Sequence, residues 1–367
     1  MNNTYYTTIG MDVSDRNTQI CVMTKRNDDR KTEVVTETKI PTTPEGLEKF
    51  LSTQEKHASI VFETGTHCRW MYNVATDMGF KVYVANPCRL KLITCSKTKN
   101  DVNDARKLAK MALADPELLY PVKLRGNEYQ KMIHLHEMRN ILVKQRTGII
   151  VQLRALAKTM GFRIKDCSTG SFHKLDKTQW PKEYRDIVWP MLKNLKQLDI
   201  TIKTYEKKIK ELAQTPAFKS KVERLMEIHY VGLFVATGFV AIIGGDIDRF
   251  DKPRDVGAWL GLTPKQDQSG DIDRQCHITK AGSQFMRRLL VESAQMILRE
   301  NSVSTDLKVK GMRICMRGAK IAKRKAVTAV ARSLAVMMVA MLKKPDAPYV
   351  PLTDRCKEEL NAMTATA

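Results

Sequence analysis

Aromatic residues make up only 7% of the 367-residue chain, and its eight cysteines include no Cys-x-x-Cys pair and none at zinc-site spacing from a histidine. Those absences exclude a zinc-finger reader and a disulfide-stapled scaffold, and leave reduced, mostly structural thiols. His134 and His136 stand two apart, so on a helix their rings diverge and make a poor metal pair. Long apolar runs are lacking as well. VGLFVATGFVAII is too short to span a bilayer and AVTAVARSLAVMMVAML carries Arg332, so both are expected as buried core helices, with no membrane partner. The opening MNNTYYTTIGMDV has no charged stretch ahead of an apolar run, so no secretory leader is expected there. Acidic residues are scarce against basic ones: 40 Asp and Glu face 62 Lys and Arg, a formal net charge of +22. A field of that sign attracts polyanions, and nucleic acid is the commonest one inside a cell. An apolar fraction of 43% is that of a folded chain, here two or three domains long.

Residues 5–25 read as a strand, a tight polar turn at 14–17 and a second strand, with a third at about 33–40. Thr43 followed by Pro44 is a helix start. ASIVFET is a short buried strand, CRWMYNVATDMGF a helix ending at Gly79, KVYVAN a strand, and about 100–114 a helix. The order β-β-β-α-β-α-β-α implies a mixed sheet covered by helices and matches the ribonuclease H-like fold, an order that other sheets share. Helices take over near Gly126. Val188, Met191, Leu195, Leu198, Ile202, Tyr205, Ile209 and Leu212 alternate steps of three and four, a coiled-coil seam formed between subunits or as a hairpin, with a homo-oligomer, dimer or tetramer, expected. MEIHYVGLFVATGFVAIIGG turns at Gly232 and resembles a helix-hairpin-helix, and KQDQSGDIDRQCHITKAGS reads as a polar loop before two basic helices. The fold class is therefore multidomain α/β plus α. The expected segments are a catalytic domain at 1–125, a helical coiled-coil region at 126–216, a second domain at 217–345 and a loose tail at 346–367.

SKTKNDVNDARKLAKMA, residues 96–112, is crowded with lysine yet holds Asp101 and Asp104 three apart, on one helical face. Acids in a first turn commonly just offset the helix dipole. Asp12, at the end of the first strand, and Glu63, at the end of SIVFE, shift the balance. In a ribonuclease H-like sheet those strand ends lie side by side and the last helix crosses them, so four carboxylates converge. Such a cluster repels itself unless a hard divalent cation joins it, and one or two Mg²⁺ ions suit that role. Lys97, Lys99, Arg106, Lys107 and Lys110 would then hold a flanking nucleic-acid backbone.

With GMDVS, FETGT and KTKNDVNDARKLA around Asp12, Glu63, Asp101 and Asp104, and with GLTP, SG and ITKAGSQFMRRLLVESA further on, the chain resembles the DEDD-type, RuvC-like insertion-sequence transposases of the one-ten family and its eleven-eleven subgroup. The resemblance runs over about residues 6–342. It implies that the four acids hold Mg²⁺, and that Ser269 attacks a DNA phosphate to give a covalent serine–DNA intermediate. By itself Ser-Gly is only a turn. It further implies a composite site shared between subunits, target and donor DNA as substrates, a structured non-coding RNA as guide, and a bacterial, cytoplasmic, nucleoid-associated location.

Lys265, Lys280, Arg287 and Arg288 flank the serine loop, and Arg317, Lys320, Lys323, Arg324 and Lys325 form a basic run ahead of an apolar stripe. A charge run is usually a solvated face. In a chain this cationic, phosphate contact with steep salt dependence is the expected role, and such contacts position rather than specify. Two other readings fit the same residues. A RuvC-like junction-resolving endonuclease would use water and need no Ser269. A non-catalytic architectural protein would need no Mg²⁺.

Overall fold

A computed structural model describes residues 5–26, 32–87, 89–90, 100–269 and 272–365. The described residues form two compact units, Met1–Leu124 and Arg125–Ala367.

In the first unit, β1 (Tyr5–Val13), β2 (Asn17–Arg26) and β3 (Thr32–Pro41) form an antiparallel meander, and β4 (Ser59–Glu63) and β5 (Lys81–Ala85) add in parallel beyond β1. The order is β3-β2-β1-β4-β5, a mixed sheet consistent with a ribonuclease H-like domain. Ser14 turns the first hairpin by donating its hydroxyl to the Asn17 carbonyl at 2.6 Å. Helix α1 (Pro44–Leu51) starts as its residues dictate, with Pro44 in the first turn and the Thr43 hydroxyl accepting from the Gly46 amide at 3.1 Å. Helix α2 is Cys68–Asp77 and α3 is Asp101–Ala114. Strand alternation sorts the two faces. Ile9, Met11, Ile60 and Phe62 pack with Leu47, Leu51, Met71 and Ala75 of α1 and α2. Val61 packs with Leu108 and Ala112 of α3, and Cys21 and Met23 pack with Ala105 and Ala109.

The second unit begins with α4 (Asn127–Thr159) and α5 (Lys182–Ala213), which pack on each other. The buried line of α5 is Val188, Leu192, Leu195, Asp199, Ile202, Ile209 and Ala213. The predicted seam is therefore right at Val188, Leu195, Ile202 and Ile209 and displaced by one residue to Leu192, Asp199 and Ala213, while Tyr205 is half-buried. Met191 is exposed, and Asp199 is buried because Arg146 Nη1 at 2.6 Å and His173 Nδ1 at 2.5 Å meet its carboxylate. The buried Arg146–Asp199 pair is invisible to an apolar count.

Helices α6 (Lys219–Met226), α7 (Leu233–Ile243), α8 (Asp255–Trp259), α9 (Gln284–Ile297), α10 (Asp306–Cys315), α11 (Ala319–Lys343) and α12 (Asp354–Ala365) follow. Met132 of α4 and Ile209 of α5 share one core with Phe239, Leu290 and Leu334, so the helical and C-terminal segments fold as one unit. Within α11, Ile321–Lys343 is long and apolar enough to cross a membrane, yet Val330, Ala331, Leu334, Ala335 and Met338 lie in this core.

Two expectations are corrected here. The serine loop is a hairpin of β6 (Pro264–Ser269) and β7 (Ile272–Ile278). It escapes the period-two test because Lys265, Gln266, Asp267 and Gln268 are all polar and exposed. The tail is held rather than loose: the Thr353 amide donates to Asp306 at 2.8 Å, Arg313 pairs with Glu359, and Arg224 donates to the Ala347 carbonyl.

Candidate active site

Asp12 follows Gly10 by two residues on β1, and Glu63 follows Val61 by two on β4, so both acids point to the face that α3 covers. Met11 is in register with Phe62, which puts the two acids at neighbouring positions on parallel strand ends. Gly10 lets α3 cross at backbone contact: a Cβ there would lie 2.2 Å from the Ala105 carbonyl oxygen and 2.6 Å from the Ala109 nitrogen. That crossing brings the first turn of α3, with Asp101 and Asp104, toward the strand ends. Asn100 already caps the helix by accepting from the Val102 amide at 3.2 Å, so neither acid is needed as a cap.

Burial pushes the Glu63 carboxyl above the ordinary glutamate range, and the charges of Asp12 and then Asp104 push it further. Asp12 and Asp104 are thus near enough to Glu63 for their charge to reach it. Asp101 lies one turn ahead of Asp104 and is exposed. Lys107 Nζ bonds Asp104 at 3.1 Å and offsets part of the repulsion.

Hard oxygen donors gathered at one edge of the sheet fit a divalent cation such as Mg²⁺. Among the described residues no three His, Cys, Asp or Glu side chains are already drawn to a common liganding point. The fit is therefore one of donor chemistry and charge rather than of a closed cage. A raised carboxyl holds its proton more tightly folded than unfolded. Its contribution to stability is present in acid and is lost as pH rises from the ordinary glutamate range through the raised value. Thermal melting of metal-free protein should fall across that window, and added Mg²⁺ should restore it at neutral pH. Glu63→Gln should flatten both responses; a wild-type melting curve indifferent to Mg²⁺ at neutral pH would remove the metal from this site.

In the second unit Ser269 closes β6, in register with Ile272. Lys265 is exposed at an irregularity in the ladder between Pro264 and Gln266. Lys280 is exposed in a left-handed conformation, φ 55°. At the start of α11, Arg317, Lys323, Arg324 and Lys325 are exposed. Arg317 precedes the N-cap Gly318, and Lys323, Arg324 and Lys325 follow the first turn of α11. The side chain of Lys320 and the whole of Lys97 and Lys99 lie outside what the structure describes.

Three arginines placed on the nucleic-acid side by sequence have partners within the fold. Arg106 pairs with Glu37 of β3 at 2.8 Å, beside Cys21, whose thiol burial and Glu37 push up to about 11. Arg288 lies 3.6 Å from Glu292. Arg287 Nη1 donates to the carbonyls of Leu260 (3.0 Å), Ala281 (2.6 Å) and Gly282 (3.1 Å). A local charge count misses such internal acceptors. His136 is a core residue: burial, then Arg139, lower it to about 4, and Nε2 meets Thr237 Oγ1 at 3.0 Å.

The chain matches two sequence models of one family, the DEDD transposase model of IS110 elements at residues 9–161 and the Transposase IS116/IS110/IS902 family model at residues 222–308. The chain belongs to the IS110 family of DEDD transposases. The first match contains all four acids and the second contains Ser269 and Arg287. Relatives include the "Probable family 20 transposase" of Pseudomonas aeruginosa, 29% identical over 57% of this chain and 62% of that one. Another is the transposase for insertion sequence element IS1111A of Coxiella burnetii, 27% identical over 69% of each chain. The match thus spans less than two thirds of the Pseudomonas relative's length.

Proposed function

We propose that this protein is the recombinase of an insertion sequence, cutting and rejoining DNA strands by Mg²⁺-dependent phosphoryl transfer under the guidance of a structured non-coding RNA. The observation that carries the reading is the placing of Asp12 and Glu63 at neighbouring ends of parallel strands on the face that α3 covers. A family match to DEDD transposases supports it.

When bound, Mg²⁺ would supply charge neutralisation at the phosphoryl oxygens, held by Asp12, Glu63, Asp101 and Asp104. The Ser269 hydroxyl oxygen forms a bond to phosphorus, its proton passes to a base, and the bond to the leaving deoxyribose oxygen breaks, with that oxygen taking up a proton. The phosphodiester becomes a phosphoserine ester, so the strand can be rejoined without an external energy source. Exposed Arg317, Lys323, Arg324 and Lys325 hold backbone phosphates, leaving sequence choice to base pairing with the RNA. Pairing with a second copy would use exposed Ile187 and Met191, one turn apart on α5. The site of action is the bacterial cytoplasm, at the nucleoid.

The test is incubation of protein, RNA transcribed from the element's flank, labelled junction duplex and Mg²⁺, followed by denaturing gel analysis. A protein–DNA adduct is expected, lost in Ser269→Ala and on chelation. Free hydrolysed ends with no adduct would instead favour a water-using resolvase. Binding without any cleavage would favour an architectural protein.

A further inference from the structure

Among its described side chains the β6–β7 hairpin is an arm with little to lean on. Lys265, Gln266, Asp267 and Gln268 on one strand and Arg274, Cys276 and His277 on the other are exposed. The direction in which it carries Ser269 is therefore set at its root. That root is built to unusual tightness. Gly261, Lys280 and Gly282 all adopt left-handed backbone, with φ of 69°, 55° and 74°. A Cβ on Gly261 would lie 2.2 Å from the Ala281 carbonyl oxygen, and one on Gly282 would lie 2.2 Å from the Trp259 carbonyl oxygen. The two chains entering and leaving the arm are thus in backbone contact. The Thr279 amide donates to the Thr263 carbonyl at 2.9 Å and the Lys280 amide to the Gly261 carbonyl at 3.1 Å. Leu260 and Leu262 anchor the entering chain in the core. Met286 and Leu290 anchor α9, the helix that carries Arg287.

We infer that Arg287 is the positioning residue of the nucleophile arm: its guanidinium ties the entering chain, at Leu260, to the leaving chain, at Ala281 and Gly282, and so sets the angle at which Ser269 is presented to DNA. The inference rests on Ser269 being the nucleophile. Three carbonyls converging on one point repel one another, and the permanently charged Nη1 offsets that repulsion. Lysine keeps the charge, but its ammonium ends nearer the backbone than Nη1 does. A DNA-contact role would depend on charge; a clamp depends on reach to all three carbonyls.

The test compares wild type, Arg287→Lys, Arg287→Gln and Ser269→Ala in the adduct assay above. It adds hydrogen exchange of the peptides spanning 261–263 and 279–282, and duplex affinity at several salt concentrations. Both Arg287 variants should lose about 10²-fold in adduct rate, as expected for a displaced nucleophile. Both should exchange faster at Thr279 and Lys280, with α9 exchange unchanged and duplex affinity within about twofold of wild type and an unaltered salt slope. Wild-type adduct rate in Arg287→Lys would overturn the clamp, as would weakened, less salt-dependent binding with unchanged exchange. If Ser269→Ala still forms the adduct, the nucleophile reading falls, while the exchange measurement continues to decide the clamp.

Discussion

Asp12→Asn should abolish strand cleavage while leaving the protein folded and still bound to nucleic acid. The substitution keeps the side chain's volume and removes one negative charge from the group that raises the Glu63 carboxyl. Less repulsion should make the metal-free fold slightly more stable, by a margin smaller than any effect on activity. Activity moves the other way. A carboxylate that holds a catalytic cation supports transition-state stabilisation of several kcal/mol, so a loss of about 10³-fold or more is expected. Opposite signs for melting temperature and cleavage rate are the diagnostic, measured by calorimetry and by the adduct assay. An Asp12→Asn protein with cleavage within a few-fold of wild type would remove Asp12 from the chemistry. A merely structural Asp12 would instead lower both quantities together.

Gly10→Ala should be among the most damaging single-methyl changes in the chain. The added Cβ meets the Ala105 carbonyl oxygen at 2.2 Å and the Ala109 nitrogen at 2.6 Å. These are backbone atoms of a helix and cannot rotate aside, so α3 must move or the sheet must yield. Overpacking of this kind costs about 3 kcal/mol. Urea unfolding should show that loss, and the Mg²⁺-dependent gain in stability at neutral pH should shrink because Asp104 leaves the strand ends. By contrast Gly148 has open space around its Cβ direction and sits within α4, so Gly148→Ala should be stabilising, by about 1 kcal/mol or less. Equal effects at the two positions would show that α3 does not cross at Gly10.

Much of the first unit is legible from residues alone. Ser14, Thr43 and Pro44 are local signals whose geometry needs few neighbours, and the turn and helix start fall where those residues stand. Asp12 and Glu63 stand out because each ends an otherwise apolar strand, a costly place for a charge without a purpose. Gly10 carried the same information unread: a glycine two residues before a strand-end acid marks where another backbone comes close. In the second unit β6 offers no alternation, since Lys265, Gln266, Asp267 and Gln268 are all polar and exposed. The seam of α5 was half legible, because Asp199 enters the buried line only with Arg146 and His173 to meet it.

What the residues by themselves determined is the basic balance, the order of strands and helices in the first unit, and the kinds and spacing of the acids. These follow from local propensity, periodicity and charge, which act over a few residues. What only the tertiary structure decided is which carboxylates share a face, which line of α5 is buried, and whether Arg287 meets phosphate or carbonyl. Those outcomes turn on contacts between groups tens of residues apart, where close approach and buried charge outweigh any local preference.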